Sequence, residues 1–109
     1  MKAATTGFNP EYAEDAPSLE EITALAGDAV LEFGAPWCGH CIAAREPVAA
    51  LLQSHPDWRH IKIYDGKGKP LGRAFGVKLW PTVILLRDGR EVARVARPLR
   101  ADDFGNWGG

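Results

Sequence analysis

Cys38 and Cys41, the only two cysteines of the 109-residue chain, stand in Trp37-Cys38-Gly39-His40-Cys41. With two residues between them the sulfurs can meet in a small ring within one helical turn, so the pair can pass between dithiol and disulfide. The chain before them, Ala29-Val30-Leu31-Glu32-Phe33-Gly34, is a short apolar run that fits a strand buried on both faces. The chain from Cys38 to Ser54 reads as a helix. The pair therefore lies where a helix exposes unpaired backbone amides and about half a positive charge. A thiol there ionises more easily than a free one, whose pKa is about 8.5. Cys38, at the exposed start, is the expected attacking sulfur, and Cys41, one turn inside, the resolving one. Gly39 is expected to avoid side-chain crowding in the turn. His40 adds a group that can be cationic near neutral pH, and a positive neighbour stabilises the thiolate and makes the pair a stronger oxidant.

The elements around the pair follow from local pattern. Residues 1–17 are weakly patterned and broken by Pro10 and Pro17, with at most a short strand near Phe8–Tyr12. Ser18-Leu19-Glu20-Glu21 is a capping box, which opens a helix expected to end at Gly27. In the Cys38–Ser54 helix, Ile42, Val48, Leu51 and Leu52 favour one side, and Pro47 removes a hydrogen bond and should kink it. Residues 59–64 alternate as a strand should, and a Gly/Lys-rich loop at 65–70 leads to a short helix around Leu71–Phe75. Thr82–Arg87 is apolar and β-branched, and Asp88-Gly89 turns it back into Glu91–Ala96. A short helix near 101–107 closes the chain. The order β-α-β-β, with helices before, after and ahead of the hairpin, gives an α/β fold: a central mixed β-sheet flanked by helices. One domain over residues 1–109 is expected, with 1–17 loosely structured.

Composition narrows the function classes. The chain is 46% hydrophobic and 25% charged, ordinary for a globule and unlike a disordered chain. No run approaches the ~18 apolar residues of a membrane span, and the first ten residues hold no apolar stretch of a secretory signal. A cytoplasmic monomer is expected. Residues 1–58 carry two basic and nine acidic side chains, a net of −7; residues 59–100 carry eleven basic and three acidic, a net of +8. No aromatic-interleaved basic run accompanies that basic half, so a solvated face is expected and no nucleic-acid partner. Arg90 and Arg94 alternate with Val92, as charges guarding a sheet edge do.

Two other uses of the cysteines compete with the redox one. Cys38-x2-Cys41, then His55 and His60, satisfies the numerical spacing of a zinc site. In a finger, however, the cysteines sit on a hairpin and both histidines on one helix. Here the helix begins at the cysteines, and Pro56 disfavours a helix joining the histidines. No metal is expected, and His55 and His60 are read as surface or loop-packing residues. A purely structural disulfide closing so short a loop constrains the unfolded chain little.

Leu31 to Cys41 resembles the active-site segment of the thioredoxin family, and its Cys-Gly-His-Cys form is similar to that of protein disulfide isomerase domains. Trp80-Pro81-Thr82 resembles the family's cis-proline segment, and Asp88-Gly89 its last hairpin turn, so the likeness spans about residues 29–96. It implies a thioredoxin-like fold, its first strand short or absent, and a thiol–disulfide oxidoreductase: a protein-disulfide reductase taking part in electron transport and redox homeostasis. It implies no cofactor beyond a redox-active Cys38–Cys41 disulfide, protein substrates bearing disulfides, and a thioredoxin reductase-type electron donor. It also implies a cis bond at Pro81, with Trp80 at the backbone position that pairs with an extended substrate. Trp37 either packs against the fold or, beside Cys38, presents an apolar platform to substrates. Two alternatives stay open, an isomerase- or oxidase-biased member and a non-catalytic binding module of the same fold.

Glu32 interrupts a run that should be buried, where an unpaired charge is costly and the carboxyl pKa rises. It is either a strand-edge carboxylate facing water or, by the resemblance, the buried acid that moves a proton to and from the resolving cysteine. Lys62 is near the family's lysine partner for that acid, or is a plain exposed strand lysine. Three departures stand out: Pro47 falls six residues after Cys41 where the family usually places it five after, Trp80 is bulkier than usual, and Arg97-Pro98 replaces a small glycine-containing loop. Those last contacts bear on docking.

Overall fold

The apolar run that ends at the cysteine pair folds as the central strand of the protein. In the computed structural model, which describes residues 4–66 and 69–107, this strand is β2 (Asp28–Gly34), with Ala29 to Gly34 all buried. Around it stand β1 (Ala4–Thr6), β3 (Arg59–Tyr64), β4 (Thr82–Arg87) and β5 (Arg90–Ala96), in the order β1-β3-β2-β4-β5. Strands β2 and β3 are parallel and every other pairing is antiparallel, so the sheet is mixed as expected. A parallel pair needs a long crossover, here supplied by α2 (Gly39–Ser54).

Strand parity divides the core. Leu31, Phe33, Ile61, Ile63, Ile84 and Leu86 point to one face, against Ile22 of α1 (Leu19–Thr23) and Leu71 of α3 (Pro70–Ala74). Val30, Val83 and Leu85 point to the other, against Ala44, Val48, Leu51 and Leu52 of α2 and Phe104 of a closing 3-10 turn (Ala101–Phe104). The buried positions of α2 recur at helical spacing, Cys41, Ala44, Val48, Leu51. Ile42, expected on that stripe, lies about a quarter-turn round from Cys41 and is exposed.

Several boundaries differ from the sequence expectation. The first strand is β1, ahead of Phe8–Tyr12, because Gly7 turns the chain at φ +81° and Pro10 has no amide for a ladder. Residues 8–12 instead cross the sheet end, and Ala13 bridges Ile63. The capping box is present in both halves, but α1 stops at Thr23. Gly27 cannot extend it, since its N–H donates to the Asp88 carboxylate at 2.8 Å and its carbonyl accepts from the Asp88 amide at 2.9 Å. Strand β3, read as alternating, is buried from His60 to Ile63 because Ile61 and Ile63 pack against α1 and α3 while Phe8 to Tyr12 cover His60 and Lys62 on the other face. The last helix is a 3-10 turn ended by Gly105 at φ +59°. Asp88 and Gly89 both have positive φ, as a tight hairpin turn of this kind requires. Strand β5 is the sheet edge, where Arg94 pairs with Glu91 and donates to the Phe75 carbonyl. Of the Gly/Lys-rich loop, residues 67 and 68 lie outside the described residues, as do residues 1–3 of the N-terminal segment.

Candidate active site at the head of the second helix

Gly34 ends β2, and a turn through Ala35-Pro36-Trp37 delivers Cys38 as the N-cap of α2, in extended conformation. Cys38 is half-buried and Cys41 buried, both as free thiols. Burial raises the Cys38 pKa, but hydrogen bonds from the Cys41 thiol and from the Cys41 and His40 amides, with the Arg97 charge, bring it below the ordinary thiol value. Cys41 goes the other way. Its burial outweighs the Ala35 amide, which donates to Sγ at 3.5 Å, and the thiol is pushed up to about 11.

The more accessible sulfur is thus the readily ionised one and the buried sulfur the reluctant one. His40 contributes to this through its backbone amide, and its side chain is exposed. The expected steric reason for Gly39 does not hold, because a β-carbon there would meet open space.

Glu32 lies beneath the pair, 1% exposed, which decides between the two sequence readings in favour of burial. Its Oε2 accepts from the Tyr12 hydroxyl at 2.7 Å and its Oε1 from His60 Nε2 at 2.8 Å. The Asn9 amide donates to His60 Nδ1 at 2.8 Å. Since a backbone N–H can only donate, the ring proton of neutral His60 sits on Nε2 and faces the carboxylate. Burial raises the Glu32 pKa, but His60, Lys62 and Tyr12 together bring it below the usual carboxylate value. A buried carboxylate held by donors and a nearby cation stays ionised for this reason.

Lys62 stands opposite Glu32 in the parallel register and is buried, not exposed. Its ammonium donates to the Pro10 carbonyl at 3.2 Å and lies 4.4 Å from the Tyr12 ring centre, a cation–π contact. The carboxylate's direct partners are therefore His60 and Tyr12, with Lys62 acting on it through its charge.

His60 is a correction to the sequence reading. It is fully buried with both ring nitrogens engaged, neither at the surface nor in a loop. His55 stacks on Trp58 with ring centres 3.8 Å apart. Among the described residues no group of three or more His, Cys, Asp or Glu is placed to hold a metal ion.

Tyr12 and His60 were missed in the sequence. Parity could have found His60, because a β3 parallel to β2 puts residues 60 and 62 on the face of Glu32. Tyr12 carries no local signal, since contacts with β3 far along the chain, among them the bridge from Ala13 to Ile63, bring it there.

The rim of the site is apolar. Trp37 is 67% exposed, and its ring meets that of Trp80 edge-on with centres 5.6 Å apart. Trp80 is fixed by its indole N–H, which donates to Asp65 at 3.0 Å, and precedes Pro81 through a cis peptide bond, as the resemblance implied. Arg97, at φ +54°, donates through Nε to the Trp80 carbonyl at 2.9 Å and through its amide to the Pro81 carbonyl at 2.8 Å. The unusual Arg97-Pro98 segment thus occupies the backbone carbonyls of both Trp80 and Pro81. Beside Cys41, a cavity of about 370 Å³ is lined by Tyr12, Ala35, Pro36, Ile42, Arg45 and Lys62, among others.

Comparison with known proteins adds four findings. The family model described as thioredoxin matches residues 12–107. The solved structure of thioredoxin 2 from Pseudomonas aeruginosa PAO1 in its reduced form superposes with a TM-score of 0.79 at 48% identity, covering 89% of this chain and 90% of that one. Thioredoxin Asp f 28 of Aspergillus fumigatus is 27% identical over 82 residues, 75% of this chain and 76% of that protein. A protein disulfide-isomerase of Datisca glomerata is 30% identical over 106 residues, and this chain spans only 21% of its length.

Proposed function

The chain belongs to the thioredoxin family, and as a domain of that family it is a thiol–disulfide oxidoreductase; from this premise we propose that it serves as a protein-disulfide reductase working through Cys38 and Cys41. The observation that supports the reading is the inequality of the two sulfurs. One is half-buried at a helix N-terminus with its pKa lowered, and the other is buried with its pKa raised to about 11.

The Cys38 thiolate attacks one sulfur of a substrate disulfide, forming a mixed disulfide and releasing the first substrate thiolate. Cys41 then loses its proton to Glu32 and attacks Cys38 Sγ, releasing the second substrate thiolate and leaving the pair oxidised. Two electrons have passed to the substrate, and a reductase-type donor returns the pair to the dithiol. Trp37 and Trp80 offer substrates an apolar platform at the rim, next to the cis bond at Pro81. Lys62 helps keep Glu32 ionised between turnovers. The reading assigns the protein to the cytoplasm, whose thiol poise keeps such a pair reduced.

The Cys-Gly-His-Cys motif and the 30% identity to a disulfide isomerase favour a second reading, an isomerase or oxidase bias. Titration against glutathione separates the two: a midpoint near about −270 mV supports the reductase, and one near about −180 mV the isomerase. Insulin reduction by wild type and Cys38→Ser tests the enzyme against a binding module. The proposal expects loss of activity in the variant, and equal rates would remove Cys38 from the chemistry.

A further inference from the structure

Glu32 is assigned the Cys41 proton, yet among the described residues no hydrogen bond joins the two directly. One carboxylate oxygen is committed to His60 and the other to the Tyr12 hydroxyl. That hydroxyl also lies close to Cys41 Sγ, near enough for each group to perturb the other's pKa. Gly34 marks the meeting point, since a β-carbon on it would stand 2.5 Å from the Tyr12 oxygen and 2.6 Å from Cys41 Sγ. We propose that the Tyr12 hydroxyl is the relay through which Cys41 and Glu32 exchange a proton, an inference that rests on the reductase reading and its assignment of Glu32.

The step balances without any further reagent. The Cys41 S–H bond breaks and its proton goes to the Tyr12 oxygen as the Tyr12 O–H proton passes to Glu32 Oε2. Cys41 is left as a thiolate, Glu32 as a carboxylic acid and Tyr12 as a neutral phenol that has replaced its own proton. The thiolate then attacks Cys38 Sγ in the mixed disulfide. Burial and the neighbouring Glu32 carboxylate hold the phenol pKa far above its ordinary value, so Tyr12 cannot wait as a phenolate and must give one proton as it takes the other. Its surroundings keep the acceptor ionised and able to take a proton. Glu32 on β2 faces it, with His60 behind and Lys62 over its ring from β3, Cys41 and Arg45 on α2, and Glu11 beside it on its own segment. Lys62 and His60 both favour the ionised carboxylate that receives the proton.

The competing route is water in the adjoining cavity, and the test separates the two. Tyr12→Phe keeps the ring and removes the relay. The rate of release from a preformed Cys38 mixed disulfide is measured against pH, with Cys38 alkylation as the check on folding and on the first step. The relay predicts release slowed by about a hundredfold at pH 7, the lower range for a general acid–base group. The deficit should shrink as pH approaches the Cys41 value of about 11, while alkylation is unchanged.

Wild-type release from Tyr12→Phe together with slow release from Glu32→Gln overturns the relay and leaves the carboxylate's role standing. Wild-type release from both removes the relay and the Glu32 assignment alike. Slowing by the same factor at every pH overturns it too, as the mark of misplaced sulfurs. The wild-type protein gives an independent test in mixtures of light and heavy water. Two protons in flight bend the plot of release rate against deuterium fraction, and a straight line overturns the proposal.

Discussion

Alanine at Gly34 is the sharpest probe of how the site is packed. The position ends a strand, so its backbone accepts alanine, but the space does not. The new β-carbon would lie 2.5 Å from the Tyr12 oxygen, 2.9 Å from Tyr12 Cζ and 2.6 Å from Cys41 Sγ. Carbon prefers such neighbours at about 3.5–4.0 Å, so one or both must retreat by roughly an ångström. Cys41 is held by α2, and Tyr12 is tied to Glu32 and, through Ala13, to β3.

Overpacking of this kind costs about 1–3 kcal/mol. In a domain of this size each kcal/mol lowers Tm by roughly 4–8 °C, so Gly34→Ala should melt about 5–20 °C below wild type. Gly39→Ala is the control: its β-carbon meets open space in the first turn of a helix, and the change should raise stability by about 0.4–1 kcal/mol. Denaturant and thermal unfolding followed by tryptophan fluorescence measure both variants. A Gly34→Ala protein as stable as wild type would refute the claim that Tyr12 and Cys41 close on that point.

The remaining expectations concern charge. Glu32 is held below its ordinary value of 4.5 in the fold, so its stabilising contribution is complete above about pH 4.5 and is lost as pH falls through the folded value. Glu32→Gln should therefore flatten the acid limb of the stability–pH curve, and unchanged acid sensitivity in urea titrations would contradict the buried-carboxylate assignment. Arg97→Ala removes a charge that lowers Cys38 and frees the Trp80 carbonyl. Alkylation of Cys38 at pH 7 should slow by less than about tenfold, since exposed charge pairs are worth at most about 1 kcal/mol, and the difference should shrink in high salt. An extended peptide disulfide should meanwhile gain affinity, which a lower KM reports.

What was legible in the sequence is what short-range chemistry controls. The buried strand before the cysteines, the helix starting at Cys38, the Ser18–Glu21 cap and the Asp88-Gly89 hairpin each declare themselves within a few residues, and each stands where it was expected. Glu32 was visible as a charge in an apolar run. Its partners were not, because they belong to other elements. Tyr12 arrives from a segment that Pro10 and Gly7 keep out of the sheet, and its place depends on the Ala13–Ile63 bridge. His60 and Lys62 looked half-exposed because alternation hides the fact that β3 is covered on both sides. The end of α1 also escaped, since a contact with Asp88, 61 residues away, competes for the Gly27 backbone.

The most direct test of the account is the rate of iodoacetamide labelling at each cysteine, resolved by mass spectrometry from pH 4 to pH 11. Cys38 should label with a midpoint below that of a free thiol, and Cys41 should stay nearly inert until the pH nears about 11. Two cysteines that label together, along the curve of an unfolded thiol, would contradict the inequality from which the proposed mechanism follows.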